Sequence, residues 1–556
     1  MRTIALGLTL LSCMGAAACG DSGTTSSQGG GGAGAGGAGA GATSDTGAGD
    51  STSTAQGAGG GGGGQSGPTT PQWPFDRPPL DELSASSKKV YAHWHWFPLS
   101  LDDKSGASDY YTNNFMTPNG EGNTHVDYGG FLRERPIARL PRGTADYQVL
   151  DGERDAALAH AIGIDGFFVN VWDSDSLLQR WTAIFDGAAN VPGFSVAPDF
   201  DLSIMGDLSD TALEDEMISF LDLVSDKPAL LKQDGRVVVG LFHAGNRSVA
   251  FYEGFLDRAQ QELGIDVYLV PVFLGVGSDA ELDTYAGVAD RFAGWGTAIP
   301  TAPTSAQDSF ARAEQRGRPW MHPLLVQDFR PYTHGYWEAE QSLTVRSGWE
   351  SVVASDVDWV QIVTWNDHAE HHALRPSTGK QWAYYDLVAY YITWFKEGAP
   401  PPIVRDALYY FHRVHPLDAV PTSQVELASC NANCDYALDE IEVVTFATEA
   451  STLEITQGGS TSTFDVPAGV HSTRVAALPG RPAFRMTRGG EDVAATESAF
   501  DIRDDIAVQD LLYRGGGSLR RESSAAEGCK AVCEAGDAAK CLGCETEPVW
   551  LVANPE

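Results

Sequence analysis

The feature that most constrains the fold of this chain is an alternation of short apolar runs with amphipathic, helix-like segments, which begins at Lys89. Several of the runs are continuously apolar, as expected for strands that are covered on both faces. Such an alternation predicts parallel strands connected by helices. The eight runs are Val90–Trp96, Gly166–Val171, Phe194–Phe200, Arg236–Phe242, Val267–Leu274, Arg291–Trp295, Met321–Val326 and Trp359–Thr364.

Eight strands in alternation with eight helices, over about 310 residues, predict an α/β fold of the (β/α)8 TIM-barrel type. We assign the barrel to residues 85–418, so that it includes the segment Asp406–His415 after a Pro-rich stretch. From about Asp439 the pattern changes to short alternating strands that are separated by Gly-rich turns. This change predicts a small β-sandwich domain over residues 436–519.

The first 19 residues have the organisation of an export signal. A positive start precedes Ile4–Leu11, an apolar run that is too short to span a bilayer. Three alanines precede Cys19, as in the lipobox of bacterial lipoproteins, so we predict lipidation at Cys19. Cys13 is the alternative, because a leucine stands three positions before it, and an ordinary signal that is cleaved without lipidation is a third possibility. The chain is therefore predicted to be exported, as a cell-surface lipoprotein or an extracellular protein.

Residues 20–72 consist mainly of Gly, Ala, Ser and Thr. Such a stretch buries too little apolar surface to offset its ordering entropy, so we interpret it as a disordered tether. The remaining cysteines belong to an exported chain, and their even number predicts three disulfides of open connectivity. Zinc is the alternative, but no histidine lies among them. They are Cys430, Cys434, Cys529, Cys533, Cys541 and Cys544, and residues 520–556 form a cysteine-rich tail.

The charge balance restricts the partners of this protein. There are 37 basic and 74 acidic side chains, which gives a formal net charge of -37. A charge of this sign repels nucleic acids, anionic membrane surfaces and polyanionic substrates, but it does not affect a neutral substrate. The sequence has no P-loop, dinucleotide fingerprint or G-x-S-x-G elbow. We therefore expect a monomer without cofactors that contacts a membrane only through an N-terminal lipid.

Polar and aromatic side chains stand at the predicted carboxyl ends of the strands, where active sites of (β/α)8 barrels lie. Aromatic faces stack on the apolar face of a sugar, and carboxylates and amides bind its hydroxyl groups. This combination indicates a protein that acts on carbohydrates. The candidate substrate-binding residues are His93, Asn170, Asp199, Asp201, Trp295, Trp365 and Asn366.

Two carboxylates, Asp367 and Glu370, follow the eighth strand directly. Glycoside hydrolysis requires one protonated carboxyl group and one ionised carboxylate, so this pair is the candidate catalytic pair. The same D-x-x-E spacing also occurs as a solvated or helix-capping pair. The neighbouring histidines, His368, His371 and His372, lack the spacing of a zinc motif. We interpret them as hydrogen-bonding or loop-packing residues and expect no metal.

The segment Val360–His372 resembles the hallmark sequence of glycoside hydrolase family 71, the endo-α-1,3-glucanases or mutanases, in which a strand leads into a T-W-N-D-Y-G-E-S-type sequence. The resemblance extends over about residues 88–515. It includes Ala161–Asn170 and Phe194–Asp201, which look like the second and third strands of that family. Both carboxylates are retained here, but their neighbours differ, and the fourth strand ends in Phe242-His-Ala instead of an F-E-G-like sequence.

The resemblance implies an inverting (β/α)8 hydrolase without a metal, acting on α-1,3-glucan, a neutral polysaccharide. It maps the general acid onto Glu370 and the general base onto Asp367, with the reverse assignment open. It also implies that His93, Asn170, Asp201 and Trp365 line the glycone-binding subsites. The alternatives are a related endo-α-mannosidase, whose family carries a W-N-E-x-x-E segment, a non-catalytic glycan-binding lipoprotein, and an adhesive or structural protein.

Overall fold

A computed structural model describes residues 73–95, 114–137, 145–172, 178–301, 305–436 and 438–520. The export signal, the tether, the lipidation site at Cys19 and residues 521–556 of the tail lie outside the described residues, so these assignments stay predictions. In the part of the chain that the structure describes, no helix combines the length and the apolar character that a membrane span requires.

Within the described residues, eight parallel strands close into a barrel, as the alternation predicts. Each strand pairs with the next along the chain, and the last pairs with the first, where Val90 lies beside Val360. The strands are β1 (Lys89–Trp94), β2 (Gly166–Val171), β3 (Ser195–Asp201), β4 (Arg236–Phe242), β5 (Val267–Phe273), β6 (Phe292–Gly294), β7 (Trp320–Leu325) and β8 (Trp359–Val363). A two-residue strand, Lys232–Gln233, forms a hairpin with β4.

A helix follows each barrel strand in the described chain, and a short helix, Leu80–Ala85, precedes β1. Serine N-caps begin four of these helices: the side chains of Ser209, Ser248, Ser278 and Ser305 each accept a hydrogen bond from a backbone N–H in the first turn. The helices are α1 (Tyr147–Ala161), α2 (Leu178–Ala188), α3 (Asp210–Val224), α4 (Val249–Arg258), α5 (Asp279–Tyr285), α6 (Ala306–Glu314), α7 (Leu343–Val353) and α8 (Ala383–Glu397).

The C-terminal region contains two four-stranded antiparallel sheets, which pack face to face as a β-sandwich. Leu408, Val443, Leu453 and Phe484 are among the buried side chains between them. The strands are β9 (Ala407–His412), β10 (Glu440–Ala447), β11 (Ser451–Gln457), β12 (Ser460–Val466), β13 (Gly469–Ala476), β14 (Ala483–Arg488), β15 (Glu491–Glu497) and β16 (Arg514–Gly517). The first sheet has the order β13-β10-β9-β16, and the second has the order β12-β11-β14-β15.

Strand β9 lies within the segment that sequence analysis placed at the end of the barrel. In the structure it pairs antiparallel with β10 on one side and β16 on the other. Its side chains are apolar on both faces: Leu408 and Tyr410 point into the sandwich core, while Tyr409 and Phe411 join the core cluster of the barrel. The sequence of a continuously apolar strand does not show whether the strand packs in the barrel or in the sandwich. Strand β9 contributes side chains to both cores.

Three short strands form a separate small sheet beyond β7: Asp328–Arg330, Gly335–Trp337 and Ser429–Ala432. Cys430 and Cys434 form a disulfide at its edge, and the other four cysteines of the predicted disulfides lie outside the described residues. The first strand of this sheet follows the carboxyl end of β7. It therefore brings Arg330 to the rim of the barrel at which the carboxylates after β8 lie.

Candidate active site

The loop after β8 is buried and tied to the end of β1. The Asn366 side chain donates to the carbonyl oxygen of His95 over 2.6 Å and accepts from the N–H of His95 over 2.7 Å. The backbone N–H of Asp367 donates to the hydroxyl of Thr364 over 2.8 Å. Asn366 therefore bonds the backbone of His95 at the barrel rim, and it holds the His95 side chain next to Asp367.

Asp367 is held by the backbone of its own loop and lies beside His95. Its Oδ1 atom accepts hydrogen bonds from the backbone N–H groups of Ala369 at 2.8 Å and Glu370 at 3.1 Å. Its Oδ2 atom lies 3.5 Å from Nε2 of His95, and burial lowers the pKa of His95 to about 4. Oδ2 therefore faces a neutral imidazole.

Glu370 shares a proton with a neighbouring histidine. Its Oε2 atom lies 2.8 Å from a guanidinium nitrogen of Arg330 and 2.6 Å from Nε2 of His372. Burial by itself would raise the pKa of Glu370, but Arg330 and His372 outweigh it and lower this pKa to about 2. Burial would lower the pKa of His372, but the hydrogen bond to Glu370 outweighs it and raises that pKa. Both shifts favour a proton on His372 over a proton on Glu370.

The positive charge beside Glu370 comes from an arginine. Arg330 also forms a two-point ion pair with Asp328, with distances of 2.8 Å from Nε and 2.6 Å from Nη2. One ligand atom each from Asp328, Glu370 and His372 lies within 4.8 Å of the others, a spacing that a metal ion could use. The guanidinium of Arg330 already contacts both carboxylates, so these residues have their counter-charge without an ion.

His93 and Asp199 lie together inside the barrel. Nδ1 of His93 is 3.2 Å from Oδ2 of Asp199, and neither side chain is exposed. Burial lowers the pKa of His93 to about 3 and raises the pKa of Asp199 well above its usual range, so burial disfavours the charged form of both groups. The ring of Trp295 stands edge-on to His93 at 4.8 Å and to His372 at 6.4 Å. Trp295 thus lies between the pair His93–Asp199 and the loop after β8.

The structure also brings Asn170 and Asp201 together at the ends of β2 and β3. The amide of Asn170 donates to Oδ2 of Asp201 over 3.2 Å. Oδ1 of Asp201 accepts from the backbone N–H groups of Ser203 and Ile204, at 3.0 and 3.2 Å. Asp201 therefore holds the turn after β3, and its role as a glucan ligand stays a prediction.

Trp365 does not face the barrel mouth in the structure. Its ring is fully buried, 5.7 Å from the ring of Phe167 on β2 and 6.5 Å from that of Tyr385 on α8. Its backbone N–H donates to the carbonyl of His93, which extends the pairing of β8 with β1. Successive side chains of an extended segment point to opposite faces, and this register turns Trp365 toward the helices. The expected contact of Trp365 with substrate does not fit this placement.

The histidines after Glu370 have different roles. His371 packs the loop as expected: its Nδ1–H donates to the carbonyl of Phe329 over 2.6 Å, and its Nε2 accepts from the N–H of Arg133 over 2.9 Å. His372 differs, because its Nε2 atom bonds the carboxylate of Glu370. Neighbours in sequence point in different directions, so the pattern of the sequence does not distinguish the two.

Sequence analysis did not select Arg330, Tyr332 or His372 as members of the site. Arg330 and Tyr332 follow β7 within a few residues, so their position just beyond a barrel strand is the signal that could have found them. That signal is shared by many rim residues, and it does not indicate which of them turns toward Glu370.

Comparisons with known proteins show the family of this chain. The family model for Glycosyl hydrolase family 71 matches residues 141–513, which is more than half of the chain. A glucan endo-1,3-alpha-glucosidase of Schizosaccharomyces pombe is 28% identical over 67% of this chain and 92% of the relative. A mutanase of Penicillium rubens is 26% identical over 65% of this chain and 83% of the relative.

Among solved structures, a GH99 endo-alpha-mannosidase from Bacteroides thetaiotaomicron matches 56% of this chain and 98% of its own. The identity is 13% and the TM-score is 0.45, values too low to bear on function. The family match covers β2 to β9, the loop with Asp367 and Glu370, and most of the sandwich. This chain belongs to glycosyl hydrolase family 71 and is a glycoside hydrolase.

Proposed function

We propose that this enzyme hydrolyses α-1,3-glucan with inversion, using Glu370 as general acid and Asp367 as general base. Two similar relatives are named as enzymes that act on 1,3-α-glucan or mutan, which supports the substrate. The observation that carries the roles is the different environment of the two carboxylates. Asp367 accepts hydrogen bonds from two backbone N–H groups, whereas Glu370 lies 2.6 Å from Nε2 of His372 and raises the pKa of that histidine, so that a proton donor stands next to Glu370.

In the proposed reaction, Asp367 removes a proton from a water molecule whose oxygen attacks the anomeric carbon. The glycosidic C–O bond breaks on the opposite face, and Glu370 delivers a proton to the leaving oxygen. That proton comes from Nε2 of His372 along the 2.6 Å hydrogen bond to Oε2 of Glu370. General acid–base catalysis by two such groups needs no metal or cofactor.

The environment of the enzyme is also part of the proposal. An uncharged polysaccharide does not interact with a net charge of -37, so the acidic excess does not hinder binding. A relative from Schizosaccharomyces pombe, 22% identical, is named an ascus wall endo-1,3-alpha-glucanase. We propose that this enzyme likewise acts outside the cell, as a monomer on an insoluble glucan, with the N-terminal region as its export signal and tether.

The substrate proposal is tested by incubating the full chain with insoluble α-1,3-glucan and with a panel of other α-glucans and α-mannans. We expect reducing sugar from α-1,3-glucan, with the β-anomer appearing first in the proton NMR spectrum. Release only from α-mannan would favour the endo-α-mannosidase alternative. Absence of hydrolysis across the whole panel would contradict the proposed activity and favour a glycan-binding protein.

The catalytic pair is tested with Glu370→Gln and Asp367→Asn. We expect each variant to lose about 10²- to 10⁴-fold in kcat, the usual contribution of a general acid or base. Glu397→Gln is the matched control, because Glu397 is an exposed glutamate at the end of α8. Full activity of either site variant would contradict the assignment of that residue.

The roles of general acid and general base are separated by α-nigerosyl fluoride, the α-anomeric fluoride of the disaccharide nigerose. Fluoride is a leaving group that needs no proton. Glu370→Gln should retain most activity on this fluoride, because only the acid has been removed. Asp367→Asn should stay inactive on it, and added azide should restore turnover by replacing the activated water. The opposite pattern would reverse the assignment of acid and base.

A further inference from the structure

The phenol group of Tyr332 is a polar group of the site that the proposed reaction does not use. Tyr332 lies in the turn Pro331–Thr333, directly after the short strand that carries Arg330. Its hydroxyl oxygen is buried and has no hydrogen-bond partner among the residues that the structure describes. A buried hydroxyl without a partner destabilises a fold. Its presence at the rim therefore suggests a partner that the free protein lacks.

The surroundings of this hydroxyl show where such a partner would bind. Burial raises the pKa of Tyr332 well above its usual range, and the charges of Glu370 and Asp367 raise it further, against the opposing effect of Arg330. The strand before this turn contacts the loop after β8: a guanidinium nitrogen of Arg330 lies 2.8 Å from Oε2 of Glu370, and the N–H of Phe329 donates to the carbonyl of Glu370 over 3.1 Å. The phenol therefore stands beside that loop and stays protonated, so that it is available as a hydrogen-bond donor.

The catalytic carboxylates themselves are not its partners. Oε2 of Glu370 is bonded to Arg330 and His372, and Oδ1 of Asp367 is bonded to two backbone N–H groups. The ring of Tyr332 packs against the ring of Phe131, with 4.8 Å between centroids and 31° between planes. This contact holds the phenol in place. A fixed, unpartnered donor beside the loop with the two carboxylates is suited to a ligand with many hydroxyl groups.

We propose that the Tyr332 hydroxyl donates a hydrogen bond to a hydroxyl oxygen of the glucose unit at the scissile bond. The inference rests on the proposed function, since it takes the bound ligand to be an α-glucan. It makes Tyr332 a substrate-contacting residue for this reaction and assigns its unpartnered oxygen a role in the complex. The hydrogen bond would form in a site from which substrate excludes water, where such contacts are strong.

The experiment compares Tyr332→Phe with the unmodified full chain on soluble α-1,3-linked glucose oligomers. We expect kcat/KM to fall about ten-fold, in the range for the loss of one hydrogen bond to substrate. The thermal midpoint should stay the same or rise, because the change removes a buried hydroxyl that has no partner in the free protein. Retention of full kcat/KM in Tyr332→Phe would overturn the inference.

Tyr336→Phe is the matched control. Tyr336 lies four positions further along the same segment, and the charges that affect the pKa of its partly buried phenol belong to Arg413, Glu338 and Asp439 instead of the catalytic pair. We expect unchanged kinetics in this variant. A lower thermal midpoint in Tyr332→Phe, together with lost activity, would mean that the hydroxyl is structural and would also overturn the inference.

Binding separates this inference from the proposed hydrolysis. Calorimetric titration of α-1,3-linked oligomers into Glu370→Gln, and into the double variant with Tyr332→Phe, measures the contact without turnover. We expect Kd to be about ten-fold higher in the double variant. If the unmodified chain hydrolyses no glycan but this difference is found, the contact stands and the proposed reaction fails. Equal Kd values would refute the contact even in an active enzyme.

Discussion

At the scale of single residues, two tryptophans from the same set of candidates have different positions. Trp295 lies at the barrel mouth, with its ring edge-on to His93 and His372. Trp365 lies between the barrel wall and the helices, against Phe167. Tryptophan is common both in cores and in sugar-binding sites, so residue type alone does not separate the two roles.

We therefore expect opposite effects from truncating these two tryptophans. Trp365→Ala should lower the free energy of unfolding by about 3–5 kcal/mol, because it leaves a large cavity in the core. Trp295→Ala should reduce kcat/KM on α-1,3-glucan more than it reduces stability. Urea unfolding and initial hydrolysis rates on the two variants test this expectation. Full activity of a folded Trp295→Ala variant would contradict the prediction that Trp295 belongs to the active site.

At the scale of secondary-structure elements, the glycines of β16 allow close packing in the sandwich. A Cβ atom at Gly516 would lie 2.3 Å from the hydroxyl oxygen of Tyr410 and 2.5 Å from its Cζ atom. Strand β16 pairs with β9 at this point, where Gly516 lies opposite Tyr410. The pairing of the edge strand β16 with β9 therefore requires a residue without a side chain at position 516.

Gly516→Ala should destabilise the protein by about 1–3 kcal/mol, the usual cost of overpacking a core. Gly206→Ala is the matched control, because a Cβ atom at Gly206 would meet no heavy atom within 4 Å. Denaturant unfolding of both variants measures the difference. If the two glycine variants unfold at the same denaturant concentration, the close approach of β16 to Tyr410 is not a constraint on this sequence.

At the scale of the whole molecule, the barrel and the sandwich are not independent. The described residues of the barrel and of the sandwich belong to one compact unit. Tyr409, Phe411 and Phe446 of the sandwich belong to the core cluster of the barrel, and the ring of Phe411 packs on that of Tyr384 in α8. The family match extends through both parts. The sandwich therefore supports the barrel through shared core contacts.

Several buried histidines couple the stability of the whole protein to pH. Burial lowers the pKa of His93 to about 3, and it lowers the pKa values of His322 and His412 to about 4. Below pH 6.5 the unfolded chain binds protons at these positions and the folded protein does not, so acid favours unfolding. The stability that these three histidines contribute is fully present above about pH 6.5, and it falls progressively as the pH decreases from 6.5 to about 3.

We expect the free energy of unfolding at pH 4.5 to be several kcal/mol lower than at pH 7, since each pKa unit corresponds to about 1.4 kcal/mol per histidine. His412→Gln should reduce this dependence, because the imidazole in β9, far along the chain from the catalytic loop, is removed. Denaturant unfolding at both pH values provides the measurement. Equal pH dependence in the variant and the unmodified chain would be inconsistent with a neutral buried His412.

Much of the architecture and part of the site could be predicted before the structure. The alternation from Lys89 predicted eight parallel strands, and the position of Asp367 and Glu370 after β8 predicted rim carboxylates. These inferences succeed because strand and helix periodicity, and the direction of a strand, are local properties of the chain.

Only the tertiary structure decided what these residues contact. Arg330 reaches Glu370 from a strand after β7, and β9 takes its place in the sandwich by pairing with β10 and β16. The orientation of Trp365 likewise follows from pairing with β1. The sequence by itself determined the order and type of the elements and the rim position of the carboxylates. The hydrogen-bond partners and the protonation of these carboxylates depend on side chains that are distant along the chain. Only tertiary packing brings those side chains within hydrogen-bonding distance.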